Sequence, residues 1–328
     1  MVEFIRDRNK KEDNIIIDNQ SIAPGEDMVI KIPAGRLPSD TRIQVYVHVY
    51  RSEKPGPILF VQGGVHGDEI NGIEIVRRAI ENNLFKNIDC GSVIAVPLLN
   101  IFGFINFSRD VPDGKDVNRS FPGNLSGSLA SRVARVLTKK ILPNVDVALD
   151  CHTGGSSRYN FPQIRYNKND KKAEILAQMF NAPFAVEKPY IAHSFRKSAN
   201  EMGIPAIVFE GGESVRLDGL AIDHGLRGLQ NLMAGLGIIS ENKKREIDSL
   251  TISNTSWIRA SQSGIFIWSK SSGNKIYKGE PLGEIKDPFG TKSVKVLSKH
   301  NGYIIGHNNA SVVNQGDALF HVGFLKNQ

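Results

Sequence analysis

The run PGPILFVQGGVHGDEINGIEIVRRA, residues 55–79, reads as a strand, a glycine turn and a helix in immediate succession. Its first part is a short, continuous apolar segment closed by two glycines, as expected of a central strand buried on both faces. After the turn, Ile70, Ile73, Val76 and Ile80 recur at helical spacing and predict an amphipathic helix over about residues 69–83.

The same alternation extends outward. Toward the N-terminus, MVIKIPA (28–34) and TRIQVYVHVY (41–50) alternate apolar and polar residues, as half-buried strands do. Toward the C-terminus, SVIAVPLL (92–99), VDVALD (145–150) and IPAIVFE (204–210) read as further strands. Helices are predicted around Leu129, Val133, Val136 and Ile141, in DKKAEILAQMF (170–180), and across about 218–236. This order predicts an α/β fold, a mostly parallel or mixed sheet with helices on both faces. In such sheets a ligand sits beyond the carboxyl ends of the strands. From about residue 250 helical periodicity disappears, and short β runs separated by Gly, Asn and Pro turns take over. The expected organisation is a β-rich extension over 1–50 packing on the core, a main domain over 51–245, and an all-β domain over 250–328. The last resembles a lipoyl/biotinyl barrel-sandwich as a scaffold. DPFGTKSVKV lacks the flanked lysine of a carrier hairpin, so covering the site is its expected role.

His66 and Glu69 stand three apart where the strand meets the helix, and a second histidine, His152, lies in LDCHTGG (149–155). Two imidazoles and one carboxylate are the ligand set of a catalytic zinc ion, which keeps a position open for water. Taken alone, the pair also fits a turn-capping histidine and an acid at a helix N-terminus, where the dipole favours negative charge. Asp150, two residues before His152, shares its strand face and is a candidate to orient it, whereas Cys151 points the other way, into the core. Cys90 and Cys151 make no disulfide framework. The net charge of +7 comes from scattered basic residues with no aromatic-plus-basic or zinc-finger pattern. Nucleic acid is therefore not an expected partner, and the charge suits anionic small substrates by steering. No run approaches about 18 apolar residues, and the charged start MVEFIRDRNKKEDN lacks an apolar signal segment, so neither a membrane span nor secretion is expected. The expected compartment is the cytoplasm.

Two more segments complete a set: RDVPDGKDVNRSFPG (109–123) and IVFEGGE (207–213). GxHGxE, DxNRxFPG, DxHTGG and FEGG in this order resemble the succinylglutamate desuccinylase/aspartoacylase family, relatives of the zinc carboxypeptidases, over about residues 40–240. The β domain is also found in family members. The resemblance implies a zinc carboxypeptidase-like fold and one zinc per chain on His66, Glu69 and His152. It implies Glu210 as general base, Arg109 facing the developing oxyanion, Asn118 and Arg119 holding the substrate carboxylate, and Asp116 orienting a zinc histidine. Glu213 is a rival to Glu210, disfavoured because the motif places the carboxylate directly after the apolar strand. The implied reaction is hydrolysis of the amide of a small N-acyl amino acid. Its acyl group is left open: Arg158 and Arg165 could meet a second carboxylate and equally could be external charges. A carboxypeptidase acting on short peptides is the alternative within the same chemistry, and a binding or regulatory protein on a hydrolase-like fold is the alternative outside it. A homo-oligomer is the default expectation. His193, His224, His300, His307 and His321 carry no ligand spacing and are read as surface or packing residues.

Overall fold

The computed structural model describes residues 4–6, 14–240 and 247–325; residues 1–3 and 7–13 of the charged N-terminal stretch lie outside the described residues. After a hairpin of β1 (Ile15–Ile17) and β2 (Gln20–Ile22), the long antiparallel pair β3 (Asp27–Arg36) and β4 (Arg42–Arg51) enters the main sheet. The run at 55–79 follows as β5 (Ile58–Gly63) and α1 (Ile70–Glu81). Next come β6 (Ser92–Val96), the short α2 (Ile101–Ile105) and α3 (Leu129–Val136). The chain continues through β7 (Val147–Gly154), β8 (Arg158–Tyr166), α4 (Lys171–Phe180) and β9 (Phe184–Glu187). Then come α5 (Phe195–Glu201), β10 (Ala206–Glu213) and α6 (Gly219–Gly235).

From residue 250 the described elements are strands: β11 (Leu250–Arg259), β12 (Gly264–Trp268), β13 (Lys275–Ile276), β14 (Pro281–Lys286), β15 (Ser293–Leu297), β16 (Gly302–Asn308), β17 (Val312–Val313) and β18 (Ala318–Leu325).

The main sheet is mixed. At its centre β10, β7, β5 and β6 run parallel, flanked by antiparallel β8 on one side and β4 with β3 on the other. Helices cover both faces. Phe60, Ile94, Ala148 and Ala206 face one core shared with α3 and α5, and Val61, Leu149, Cys151 and Phe209 face a second core shared with α1, α4 and α6. The C-terminal strands divide. β12, β14, β15 and β17 form their own four-stranded sheet, while β11 pairs parallel with β9 and β16 pairs antiparallel with β8, extending the main sheet to twelve strands. Residues from the C-terminal segment thereby reach the site. Among the described residues no helix is long and apolar enough to cross a membrane.

Two local expectations need correction. The segment after Gly155, absent from the strands expected from the sequence, is strand β8; its buried positions include Asn160 and Gln163, so the apolar alternation that marks a half-buried strand is missing. In α1 the buried residues are Asn71, Gly72, Ile75, Val76 and Ala79, whereas Ile70, Ile73 and Ile80 are half-buried. Backbone contact explains the shift: a Cβ on Gly72 would stand 2.2 Å from the carbonyl oxygen of Cys151 in β7. Gly72→Ala is expected to push the helix off the strand that carries His152, at a cost of about 3 kcal/mol. Urea unfolding of the variant measures it; a loss below about 1 kcal/mol would show that the helix shifts freely.

Candidate active site

The turn between β5 and α1 presents His66 and Glu69, and β7 presents Asp150 and His152 on one face. Adjacent parallel strands set the rest: Glu210 of β10 is in register with His152, and Val208 with Asp150. His66, Glu69 and His152 are 2%, 2% and 4% exposed, and their ligand atoms lie within 4.8 Å of one another. The Nδ1 of His66 is 2.8 Å from Glu69 Oε1, and the Nδ1 of His152 is 2.7 Å from Glu69 Oε2. Each outward nitrogen meets a carboxylate, His66 Nε2 at 3.2 Å from Asp116 Oδ1 and His152 Nε2 at 2.7 Å from Asp150 Oδ2.

That pattern defines the chemistry of the donor set. A carboxylate on Nε2 fixes the tautomer that donates outward and leaves Nδ1 as an acceptor facing inward. Two such acceptors then converge on a third, the Glu69 carboxylate; Arg109 NH1 lies 3.2 Å from His66 Nδ1 and 3.3 Å from Glu69 Oε1, and the three acceptors together call for protons or a cation between them. The proton affinities say the same. Burial opposes charge on His152, but Asp150 and Glu69 raise its pKa well above the ordinary value; burial likewise opposes charge on His66, but Glu69 and Asp116 raise it. Glu69, despite its burial, is held well below the carboxylate range by His66 and His152. These three residues fit a metal ion, which binds such a site by displacing protons.

Asp116 ties the neighbouring groups together. One oxygen takes His66 Nε2 and the backbone N–H of Asn118, at 2.6 Å, while the other accepts from Arg109 Nε and NH2 at 3.2 and 2.9 Å. Burial raises its pKa, but His66 and Arg109 outweigh burial and hold it well below its usual value. Arg109 is thereby aimed at the cluster, its NH1 lying 3.3 Å from Glu69 Oε1. The Oδ1 of Asn118 accepts from the N–H of Phe195 at 2.8 Å, which fixes the loop against α5, and Arg119 is exposed at the rim.

Glu210 is 9% exposed and held from both sides: Asn160 Nδ2 donates to Oε2 at 2.8 Å and Arg165 NH1 to Oε1 at 2.7 Å. Glu213 lies beyond a bulge in β10, and its carboxylate meets Asn309 and Arg216. Of the two arginines read as candidates for a second carboxylate or as external charges, Arg165 is occupied by Glu210, and Arg158 is exposed with its Nε on the carbonyl of Gly155.

All nine candidate residues except Asp116 line a cleft of about 360 Å³, and Asp116 stands directly behind it. The cleft also holds residues that the sequence reading passed over. Arg196 of α5 is 8% exposed and donates to the carbonyls of Lys188 and Pro189. Burial, with Arg165 nearby, lowers its pKa to about 10. Outside the cleft lining, Lys188, with its Nζ on Thr255 Oγ1, is also desolvated and near Arg165, and its pKa is lowered to about 8. His321, read as a surface or packing residue, belongs to the cleft wall: it is 4% exposed and stacked on Trp257 at 4.3 Å with the rings 5° apart. Burial, Arg165 and Lys188 hold it well below its usual pKa, so it is neutral. No tyrosine is among the cleft-lining residues.

The model of the succinylglutamate desuccinylase/aspartoacylase catalytic domain family matches residues 55–236. A curated relative, the N-alpha-acetyl-L-2,4-diaminobutyric acid deacetylase of Halomonas elongata, is 26% identical over 281 residues, 80% of this chain and 81% of the relative. Among solved structures, a succinylglutamate desuccinylase/aspartoacylase from Rhodobacter sphaeroides has a TM-score of 0.81 at 24% identity, covering 92% of this chain and 96% of its own. The product-bound ectoine utilization protein from Ruegeria pomeroyi has a TM-score of 0.80 at 22% identity, covering 91% and 94%. At these identities the structural likeness speaks for the fold.

Proposed function

Because this chain belongs to the succinylglutamate desuccinylase/aspartoacylase family, we propose that it hydrolyses the amide bond of a small N-acyl amino acid, with one zinc ion held by His66, Glu69 and His152. The observation that carries this reading is the convergence of two imidazole acceptors and one carboxylate beside Glu210, in register with His152 on the next strand. Zinc, when bound, lowers the pKa of water toward neutrality and polarises the amide carbonyl.

The chain's own residues do the rest. Glu210 takes the water proton and returns it to the leaving amine, with Asn160 and Arg165 fixing the angle of its carboxylate. Arg109, locked by Asp116, supplies positive charge where the oxyanion develops. Arg119, with Asn118, holds the α-carboxylate through a fork of N–H groups. Asp116 and Asp150 keep both imidazoles in the tautomer that presents Nδ1.

Arg196 has no carboxylate partner of its own among the described residues, and it lines the cleft with Arg165, whose charge is already met by Glu210. An excess of buried positive charge favours a substrate with a second anionic group. The Halomonas relative, by its name, removes an acetyl group from a diamino acid, so acetyl and dicarboxylic acyl groups are the two classes to compare. Purified protein is to be assayed for zinc and screened against N-acetyl, N-succinyl and N-formyl amino acids and a short peptide. One zinc per chain with turnover of an N-acyl amino acid supports the reading. Peptide cleavage at a rival rate favours the carboxypeptidase alternative, and an inert protein that ignores added zinc favours a binding role. Arg196→Gln is expected to raise KM about 30-fold for the substrate with the second carboxylate and to leave KM for its uncharged analogue within about threefold, the worth of a charged hydrogen bond.

A further inference from the structure

Gln62 ends the apolar run of β5 in an unusual place for an amide. It is fully buried, and neither its Oε1 nor its Nε2 has a hydrogen-bond partner among the described residues. Phe60, two residues earlier, fixes which face it occupies: the face of Ile94 and Val96 on β6 and of Ala148 on β7. Asp150 is on that same face of β7, in register with Gln62, and neighbouring strands stand about 4.8 Å apart. Asp150 is itself half satisfied. Its Oδ2 holds His152 Nε2 at 2.7 Å, while its buried Oδ1 has no hydrogen-bond partner among the described residues.

Two adjacent buried polar groups with complementary unused atoms rarely stay apart, since an unmade buried hydrogen bond is costly and is normally met directly or through an ordered water. We propose that Gln62 is a positioning residue for the deacylation site: its amide donates to Asp150 Oδ1, directly or through one buried water, and so holds Asp150 in line with His152. The chain Gln62, Asp150, His152 then continues beneath the site what Asp116 does for His66 on the other side. The two histidines are braced differently. Asp116 is steadied by Arg109 and by the backbone of Asn118, whereas Asp150 lies in an apolar layer where an amide supplies the donor. A conserved shape with no donor, such as leucine or methionine, would leave Asp150 free to turn.

The proposal rests on the reading of His66, Glu69 and His152 as metal ligands, and the test separates the two. Zinc affinity is measured by chelator competition for wild type, Gln62→Leu and Gln62→Met, together with thermal unfolding of the zinc-free forms; outer partners of this kind typically change metal affinity about tenfold. The expected result is about tenfold weaker zinc binding in both variants, together with a lower zinc-free Tm, because removing the amide leaves the buried Oδ1 of Asp150 without its donor. In Asp150→Asn, adding Gln62→Leu should then bring less than a twofold further loss, since the two act through one link. Wild-type affinity in both variants overturns the role of Gln62 and leaves the metal site standing. A lower Tm with unchanged affinity does the same, marking Gln62 as a packing residue. Absence of zinc binding in wild type overturns both.

Discussion

Glu210→Gln should lower kcat about a thousandfold while the protein still takes up one zinc per chain. The amide keeps the size of the carboxylate and an oxygen for Arg165, but its NH2 requires the Asn160 amide to turn and it cannot accept a proton, and a positioned general base contributes roughly 10²- to 10⁴-fold. KM should change little, because the proposed substrate anchors, Arg119 and Arg196, are both retained in Glu210→Gln. The matched control is Glu213→Gln. Glu213 is three residues on, past a β-bulge, with its carboxylate against Asn309 and Arg216, so its loss should reduce kcat less than about threefold, as for a group outside the proton path. Steady-state kinetics with metal analysis on both variants decides the assignment. A large loss in Glu213→Gln with near-normal Glu210→Gln would exchange the roles and would require the bulge to reorganise when substrate binds.

What the sequence makes legible follows from how each residue is placed. His66 and Glu69 are fixed by a single turn, and His152 by the alternation of one strand, so local spacing is enough to find them. Asp150 is read from the same alternation, and its bond to His152 is the geometry that spacing predicts. Arg196 is different. On a seven-residue helix containing Arg, Lys and Glu it looks like part of a solvated face, and only the packing of Phe195 and Ala199 into the core turns it inward. Asn160 and Gln163 hide strand β8 altogether, because residues serving the site replace the apolar ones that would have marked it. His321 and Trp257 enter the cleft through the pairing of β11 with β18 and of β11 with β9, a long-range event that no local pattern carries. The fold is legible where burial is regular, and the periphery of the site is illegible because function interrupts that regularity.

Removing the metal, or one of its ligands by His152→Ala, should abolish turnover, and the pH dependence of metal uptake should reveal why the cluster binds. In the metal-free protein both imidazoles have raised pKa values, His152 well above its ordinary 6.5, while Glu69 is depressed. A metal ion must displace those protons, so zinc uptake near neutral pH should release protons from these imidazoles, and affinity should rise with pH until the raised histidine pKa values are passed. The stability of the metal-free protein has the opposite slope. A group whose folded pKa is raised stabilises fully below its unfolded value, near pH 6.5, and that contribution is lost as pH rises through the folded value. Metal-free protein should therefore lose Tm between about pH 6.5 and the raised pKa of His152, over the same interval in which zinc-loaded protein gains affinity. Glu69 does not reverse the trend, because its depressed pKa matters only on the acid side of the carboxylate range. Calorimetric titration of zinc in buffers of different ionisation enthalpy counts the protons, and thermal scans of both forms across the interval give the slopes. Uptake without proton release, or a metal-free Tm that rises through this interval, would mean that the two histidines are neutral before the metal arrives. The converging acceptors would then be held apart by the fold itself, without the shared protons that the Glu69 contacts imply.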